Sequence, residues 1–240
     1  MSSHVGRSVL VTGSTGGVGH SICIEMASKG WDILPGWNSS EEGAQILVKE
    51  LAAWPVSVRP LQLDMSRPQM IADAIKIEPQ SPLDTLVINA ALKPQVAPMG
   101  QIALAEVENQ FAVSALGPFE LIRAVWRQHF KKHGGGHIIV ISSAGLNSPV
   151  AARMAGYLVG KAALEAVIGC ALAEYGPAGL CATILRPQYI DTPMLEAFEP
   201  RFVDLLREQG RIIPPQTVSQ AVALAAENPP AKLQCVVRTI

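Results

Sequence analysis

A chain of 240 residues, 49% hydrophobic and only 16% charged, is long enough for a single α/β domain whose core needs no disulfide or metal. A formal net charge of −1 excludes nucleic acid and anionic membrane as electrostatic partners, and the one basic run, Lys131-Lys132-His133, suits the negative end of a helix. The four cysteines (Cys23, Cys170, Cys181, Cys235) lack metal-like spacing and read as reduced core residues of a cytoplasmic protein; no metal is expected, no signal-peptide pattern opens the chain, and no apolar run reaches membrane-spanning length.

In chain order, the apolar run 9–11 is a first strand and 18–29 a helix with Ile22, Met26 and Ala27 on one face. Residues 31–34 form a second strand. Ser40 caps a helix reaching about residue 52, with Glu41 and Glu42 in its first turn. Residues 56–63 are a third strand, and Pro68 opens a helix to about residue 76. Residues 84–89 are a fourth strand, followed by a long helix over 104–132. The Gly134-Gly-Gly136 turn leads to a strand over 137–142, then a second long helix over 152–175. Strand 180–185, helix 218–226 and strand 233–237 complete the chain. Alternating strands and helices predict one domain over 1–240, a doubly wound parallel sheet with helices on both faces. Ligands of such sheets bind beyond the carboxyl ends of the strands.

The motifs fall at those ends. Val9-Leu-Val-Thr-Gly-Ser-Thr-Gly-Gly-Val-Gly19 is a strand, a glycine-rich turn and a helix start. Gly13 permits the tight turn, Gly17 lets backbone approach a pyrophosphate, and Gly19 lets the helix pack closely on the sheet. The helix N-terminus offers free N–H groups to the anion. Tyr157 and Lys161 lie four apart, on one face of the second long helix. A phenol has a pKa of about 10; a neighbouring ammonium lowers it, and reaching about 7 takes roughly 4 kcal/mol. Ser142 and Ser143 end the preceding strand, where a hydroxyl can hold a substrate oxygen beside the tyrosine.

Together these residues resemble a short-chain dehydrogenase/reductase of the single-domain, Rossmann-like type, including its 3-oxoacyl-thioester reductase members, over nearly the whole chain. Thr12-Gly-Ser-Thr-Gly-Gly-Val-Gly19 resembles the family's cofactor turn, Asp64 its adenine-contacting acid, Ile88-Asn-Ala-Ala91 its Asn-Asn-Ala-Gly motif, and Pro187-Gln-Tyr-Ile-Asp-Thr192 its nicotinamide-flanking segment. Ser143, Tyr157 and Lys161 match the catalytic serine, tyrosine and lysine, and Ser114 occupies the place of the catalytic asparagine. The resemblance implies hydride transfer between nicotinamide and a carbonyl or secondary alcohol. Tyr157 would be the general acid/base, Ser143 would orient the oxygen, and Lys161 would bind the ribose and lower the Tyr157 pKa. It places Gly13, Ser14, Thr15, Gly17, Val18, Gly19, Asn38, Ser39, Asp64, Met65, Asn89, Ala90, Tyr157, Lys161, Pro187, Ile190 and Thr192 against the cofactor, and Ser143, Gln188, Tyr189, Leu195 and Phe198 against the substrate.

The departures are specific. Pro118, four residues after Ser114, has no N–H for the Ser114 carbonyl, so a helix bend and the family's water relay are expected to survive the loss of asparagine. Gln188 replaces a glycine, and the interval from Ser143 to Tyr157 is one residue longer than the usual one, leaving Ser142 as the alternative serine. The end of the second strand, Leu34-Pro-Gly-Trp-Asn-Ser-Ser40, has no acid for the ribose hydroxyls, which favours NADP over NAD although Gly16 and His20 stand where some NADP users carry bases. Residues 193–211 are expected to form a lid, with Met194, Leu195, Phe198, Phe202, Leu205 and Leu206 closing over a small-molecule, apolar carbonyl or alcohol. Cys181, where carrier-dependent relatives often have arginine, argues against a carrier-bound substrate. A homodimer or homotetramer is expected, with Phe119, Ile122, Val125, Trp126 and Phe130 of the first long helix and Leu164, Val167, Ile168, Ala171 and Leu172 of the second supplying a second apolar face. The competing readings are a cofactor-binding protein without redox turnover and an isomerase or dehydratase using the same tyrosine.

Overall fold

The computed structural model describes residues 7–76, 81–147 and 149–240; residues 1–6, which carry the N-terminal end judged free of a signal-peptide pattern, lie outside them. In chain order the elements are β1 (Ser8–Thr12), α1 (Gly17–Ser28), β2 (Asp32–Trp37), α2 (Glu41–Leu51), β3 (Leu61–Gln62), α3 (Pro68–Ala74), β4 (Leu83–Ile88), α4 (Leu104–Phe111), α5 (Gly117–Gln128), β5 (Gly136–Ile141), α6 (Ala155–Tyr175), β6 (Leu180–Arg186), β7 (Tyr189–Ile190), α7 (Pro200–Glu208), β8 (Ile212–Ile213), α8 (Pro215–Glu227) and β9 (Cys235–Thr239). Seven parallel strands form one sheet in the order β3-β2-β1-β4-β5-β6-β9. The order reverses between β1 and β4, and that switch point opens the crevice.

Both faces of the sheet are buried, because successive strand residues point to opposite sides. Leu10, Leu86, Ile138 and Ile184 pack with Ile71 of α3, Leu121 and Val125 of α5, and Leu164 and Ile168 of α6. Val9, Val11, Val87, Ile139 and Leu185 pack on the other side with Ile22 and Met26 of α1, Leu47 of α2, and Val218 and Val222 of α8. Ser40 caps α2 by accepting from the Gly43 N–H at 3.1 Å, and Pro68 starts α3, both as the sequence predicts.

Three elements depart from the predicted spans. The third strand shrinks from 56–63 to Leu61–Gln62, with only a bridge from Val58 to Ile33, because Pro35 of β2 has no N–H to donate to this segment between the two pairings. β2 runs past Pro35 to Trp37. Ile33 bonds across to Ser57 and Arg59, and Trp37 accepts from Leu63, so Pro35 between them faces β3 and is where the ladder breaks on this outer side of β2. The helix expected over 104–132 is broken into α4, a π-turn over Ala112–Leu116, α5 and a 3-10 turn over Phe130–His133. In the π-turn the Gly117 N–H bonds to the Ala112 carbonyl, while Pro118 cannot serve Ser114.

Further corrections concern side chains and spans. Cys170 and Cys235 are exposed rather than core residues, and all four cysteines are free. Ile122, Val125, Trp126, Phe130, Leu164, Ile168, Ala171 and Leu172 are spent on the sheet-facing core, so they do not build a second apolar face. Residues 155–178, including α6, are long and apolar enough to cross a membrane by length and composition, contrary to the sequence reading; here α6 buries Leu158, Leu164, Ile168, Leu172 and Lys161 on one side, packs on α4, and leaves Val159 exposed.

Candidate active site

The cleft over the carboxyl ends of the strands encloses a cavity of about 1080 Å³, enough for a dinucleotide and a small substrate together. One end is the turn between β1 and α1. Gly16 caps α1 without any side-chain hydrogen bond, leaving first-turn N–H groups for an anion. A Cβ on Gly17 would lie 3.0 Å from Thr192 Cγ2, so this glycine keeps open the gap between the turn and the segment after β7. Asn89, just beyond β4, donates to the Thr12 and Gly13 carbonyls at 3.0 and 3.2 Å, and Thr12 Oγ1 accepts the Asn89 and Ala90 N–H groups at 3.0 Å. The strand-four motif therefore clamps the glycine turn as well as lining the cavity.

Asn38 and Ser39 line the cavity at the end of β2, and Asp64 and Met65 after β3. The Asp64 carboxylate accepts from the Ser66 N–H and hydroxyl at 2.9 and 2.6 Å and pairs with Arg67 at 3.4 Å. His20 does not reach the cavity; it pairs with Glu50 at 2.7 Å. A glycine cradle, an uncapped helix start and polar groups at the ends of β2 and β3 fit a dinucleotide.

At the other end stand the residues that could do chemistry. The phenol of Tyr157 is buried in hydrogen-bonding contact with the Ser143 hydroxyl. Lys161 Nζ lies 5.7 Å from the centre of the Tyr157 ring and donates to the Ile141 carbonyl at 2.7 Å. Burial pushes the phenol up to about 12, with the Ser143 contact opposing. Burial likewise disfavours the charge of the Lys161 ammonium. Ser142 also lines the cavity, and its hydroxyl donates to Glu165 at 2.5 Å. Ser143 also caps a 3-10 turn over Ala144–Leu146, which absorbs part of the longer interval to Tyr157.

Gly13, Thr15, Gly17, Val18, Ala90, Pro187, Gln188, Tyr189, Ile190, Thr192, Leu195 and Phe198 line the same cavity with Ser143, Tyr157 and Lys161. Three predicted residues do not. Ser14 is fully buried beneath the turn, its N–H bonded to the Gly36 carbonyl. Gly19 is a packing glycine, since a Cβ there would sit 2.2 Å from the Gly13 carbonyl oxygen. Ser114 is buried where the π-turn meets Gly160 of α6, and its hydroxyl does not reach the cavity.

The lid expected over 193–211 is a 3-10 turn over Pro193–Ala197 followed by α7. Tyr189, Phe198 and Phe202 form a ring cluster with centroids 5.5 to 5.7 Å apart, and Lys93 reaches Glu196 at 2.9 Å across the mouth of the cleft. Leu206 is core, and neither Phe202 nor Leu205 lines the cavity. Asn109, Val113, Asn147, Met154 and Arg211 line it without having been read from sequence. Asn109 of α4 and Val113 of the π-turn lie four residues apart on one side of the first long helix.

Known proteins share this arrangement. The short chain dehydrogenase family profile matches residues 7–201. The chain is 29% identical to L-xylulose reductase of Caenorhabditis elegans, over 78% of this chain and 73% of that one. It is 25% identical to a 3-oxoacyl-[acyl-carrier-protein] reductase of Staphylococcus epidermidis, over 85% and 83%. Among solved structures, a blue fluorescent protein from a metagenomic library in complex with NADPH superposes with a TM-score of 0.85 at 26% identity, over 98% and 96% of the two chains. A short chain dehydrogenase from Burkholderia cenocepacia J2315 in complex with NADP gives a TM-score of 0.85 at 24% identity, also over 98% and 96%, and shares the fold. With the glycine turn, the Ser-Tyr-Lys group and the doubly wound sheet in one cleft, the chain belongs to the short-chain dehydrogenase/reductase family of NAD(P)-dependent oxidoreductases.

Proposed function

We propose that this enzyme reduces a small or medium apolar ketone with NADP as its preferred cofactor, and runs the reverse oxidation of the alcohol. The placement of Tyr157 carries the reading: a buried phenol touching the Ser143 hydroxyl, beside Lys161, in the wall of a cavity that begins at a glycine turn. Residues 15–18 with Asn38, Ser39, Asp64, Met65, Ala90, Ile190 and Thr192 would hold the dinucleotide, which supplies or accepts the hydride when bound. Ser143 orients the substrate oxygen, and Tyr157 hands it a proton as that oxygen gains charge. A phenol pushed up to about 12 is protonated at neutral pH, as reduction requires. Lys161 holds the nicotinamide ribose and supports the phenolate left behind. Ser114 contributes through the bent backbone of the π-turn rather than through its hydroxyl.

The preference for NADP rests on the end of β2, where Asn38 and Ser39 line the cavity and offer donors and no acid repels a phosphate. Structural neighbours bound to NADPH or NADP support it. An apolar substrate fits the wall around Tyr157, made of Met154, Ala91 and Phe198. Named relatives that are reductases support the direction. The same reading has the enzyme act as a homodimer or homotetramer in the cytoplasm, where its free thiols stay reduced. A panel of ketones with NADPH and with NADH, followed by absorbance at the reduced-nicotinamide band, is the test. Faster turnover with NADPH is expected. A clear NADH preference would overturn the cofactor choice, and silence with both would overturn the reaction.

A further inference from the structure

The catalytic reading leaves one part-buried ion pair without a task. Three consecutive residues at the end of β5 meet three residues of α6 spaced by four. Ser143 touches the Tyr157 phenol, the Ile141 carbonyl accepts from Lys161 at 2.7 Å, and the Ser142 hydroxyl donates to Glu165 Oε1 at 2.5 Å. Residues 157, 161 and 165 share one helix face, so strand and helix are joined along three successive turns. Arg186, at the end of β6, holds Glu165 from the other side: Nε donates to Oε1 at 2.9 Å and Nη2 to Oε2 at 2.5 Å. Arg186 also donates to Asn147 Oδ1 at 3.2 Å. With side chains 16% and 24% exposed, Glu165 and Arg186 form a fixed two-point pair rather than a mobile surface contact.

We propose that Glu165 is a positioning residue of the active site: locked by Arg186, it fixes the Ser142-Ser143 strand end and presents a set negative charge to Lys161. The inference rests on Tyr157 and Lys161 being the working pair. Burial pushes the Lys161 ammonium down to about 8, and Glu165 is the charge that opposes this. Burial also disfavours the Glu165 carboxylate, but its bonds to Arg186 and Ser142 and the nearby Lys161 outweigh that and hold it below the ordinary range. The groups facing the pair are Tyr157 on α6, Ser142 and Ser143 beyond β5, Arg186 on β6, and Cys235 on β9, whose thiol is raised by its own burial and then by Glu165. The π-turn adds the neutral Ser114.

These charges give opposite signs to two substitutions. Glu165→Gln keeps the shape and removes the charge, so Lys161 loses its proton at lower pH. Arg186→Gln removes the cation that damps Glu165, so Lys161 keeps its proton to higher pH. A purely structural role moves both variants the same way. The experiment is an NMR titration of ligand-free protein carrying ¹³C-labelled lysine, with the Lys161 signal assigned by its loss in Lys161→Arg. The midpoint should fall by about one pH unit in Glu165→Gln, rise in Arg186→Gln, and stay near wild type in Glu165→Asp. The basic limb of kcat/KM for ketone reduction should move with the same signs. If Glu165→Gln does not fold, Arg186→Gln decides alone: a rise supports the assignment, and no shift or a fall overturns it. Same-sign shifts, or a Lys161 midpoint that moves while the kinetic limb stays, also overturn it. Shifts as expected in a protein that reduces no ketone would be a failure of the catalytic reading; an unmoved Lys161 in an active enzyme would be a failure of this inference alone.

Discussion

Two buried side chains carry opposite kinds of prediction. Tyr157→Phe keeps the ring that packs with Met154 and Leu158 and removes only the hydroxyl beside Ser143. Ketone reduction should fall by about 10²–10⁴-fold, the usual contribution of a positioned general acid, while dinucleotide affinity measured by calorimetry stays near wild type. Full activity in this variant would end the proton-donor assignment. His137 predicts pH-dependent stability. It lies in β5, its Nε2 is 3.0 Å from Thr183 Oγ1, its Nδ1 has no partner, and burial pushes it down to about 4. The unfolded chain therefore binds this proton first. No stability is lost above about pH 6.5, and loss accumulates as pH falls from there to about 4, reaching roughly 3 kcal/mol. Urea melts at pH 7 and pH 5 should show a weaker acid loss in His137→Gln than in wild type; equal losses would show that other groups carry the acid sensitivity. Neither side chain's environment follows from its type: Tyr-x-x-x-Lys marks Tyr157 only beside the serine strand, and His137 looks like an ordinary strand residue until the sheet closes over it.

At the scale of single elements, the turn between β1 and α1 gives the cleanest separation of binding from folding. Gly17→Val would place a branched side chain against Thr192 and over the uncapped start of α1. Gly17 is not buried and has ordinary backbone angles, so the fold should survive while affinity for NADPH falls at least tenfold by titration. Unchanged affinity would make the glycine run a structural turn only. Gly19, by contrast, meets the Gly13 carbonyl, so Gly19→Val should unfold the turn itself and appear first as a lower Tm. The sequence shows this turn because each glycine answers a local steric demand. It shows Ser40 and Pro68 as helix starts for the same reason. What it hides are features set by partners: the β2-β3 ladder broken at Pro35, the π-turn that interrupts the first long helix, and the β7-β8 pair that carries Tyr189 of the ring cluster. Glu165 was legible in principle, one turn beyond Lys161, but its link to Ser142 and Arg186 exists only once β5, β6 and α6 pack together.

The whole molecule presents an apolar surface that one copy leaves uncovered, and of the residues the sequence suggested for it only Phe119 is among its large exposed side chains. Leu104, Phe111, Leu116 and Phe119 are exposed along α4, the π-turn and α5, and Val159 is exposed on α6. Ala162, Ala166, Gly169, Cys170 and Ala173 continue that face of α6 as a stripe of small, exposed residues. Small side chains let a second helix approach closely, and the opposite face of the same helix holds Tyr157 and Lys161 in place. Pairing of these helices across a two-fold axis would therefore stiffen the catalytic helix. A homodimer or homotetramer is expected, and light scattering at micromolar concentration should give two or four times 25.5 kDa. A mass of 25.5 kDa would overturn it. Ala166→Asp puts a charge in mid-stripe and should lower mass and activity together while the monomer keeps its circular dichroism. Ala171→Asp is the contrast: Ala171 packs in the sheet-facing core, so it should lower Tm instead. If Ala166→Asp leaves mass and turnover untouched, copies of the chain meet elsewhere, and the exposed strand β9 at the sheet edge is the next surface to substitute.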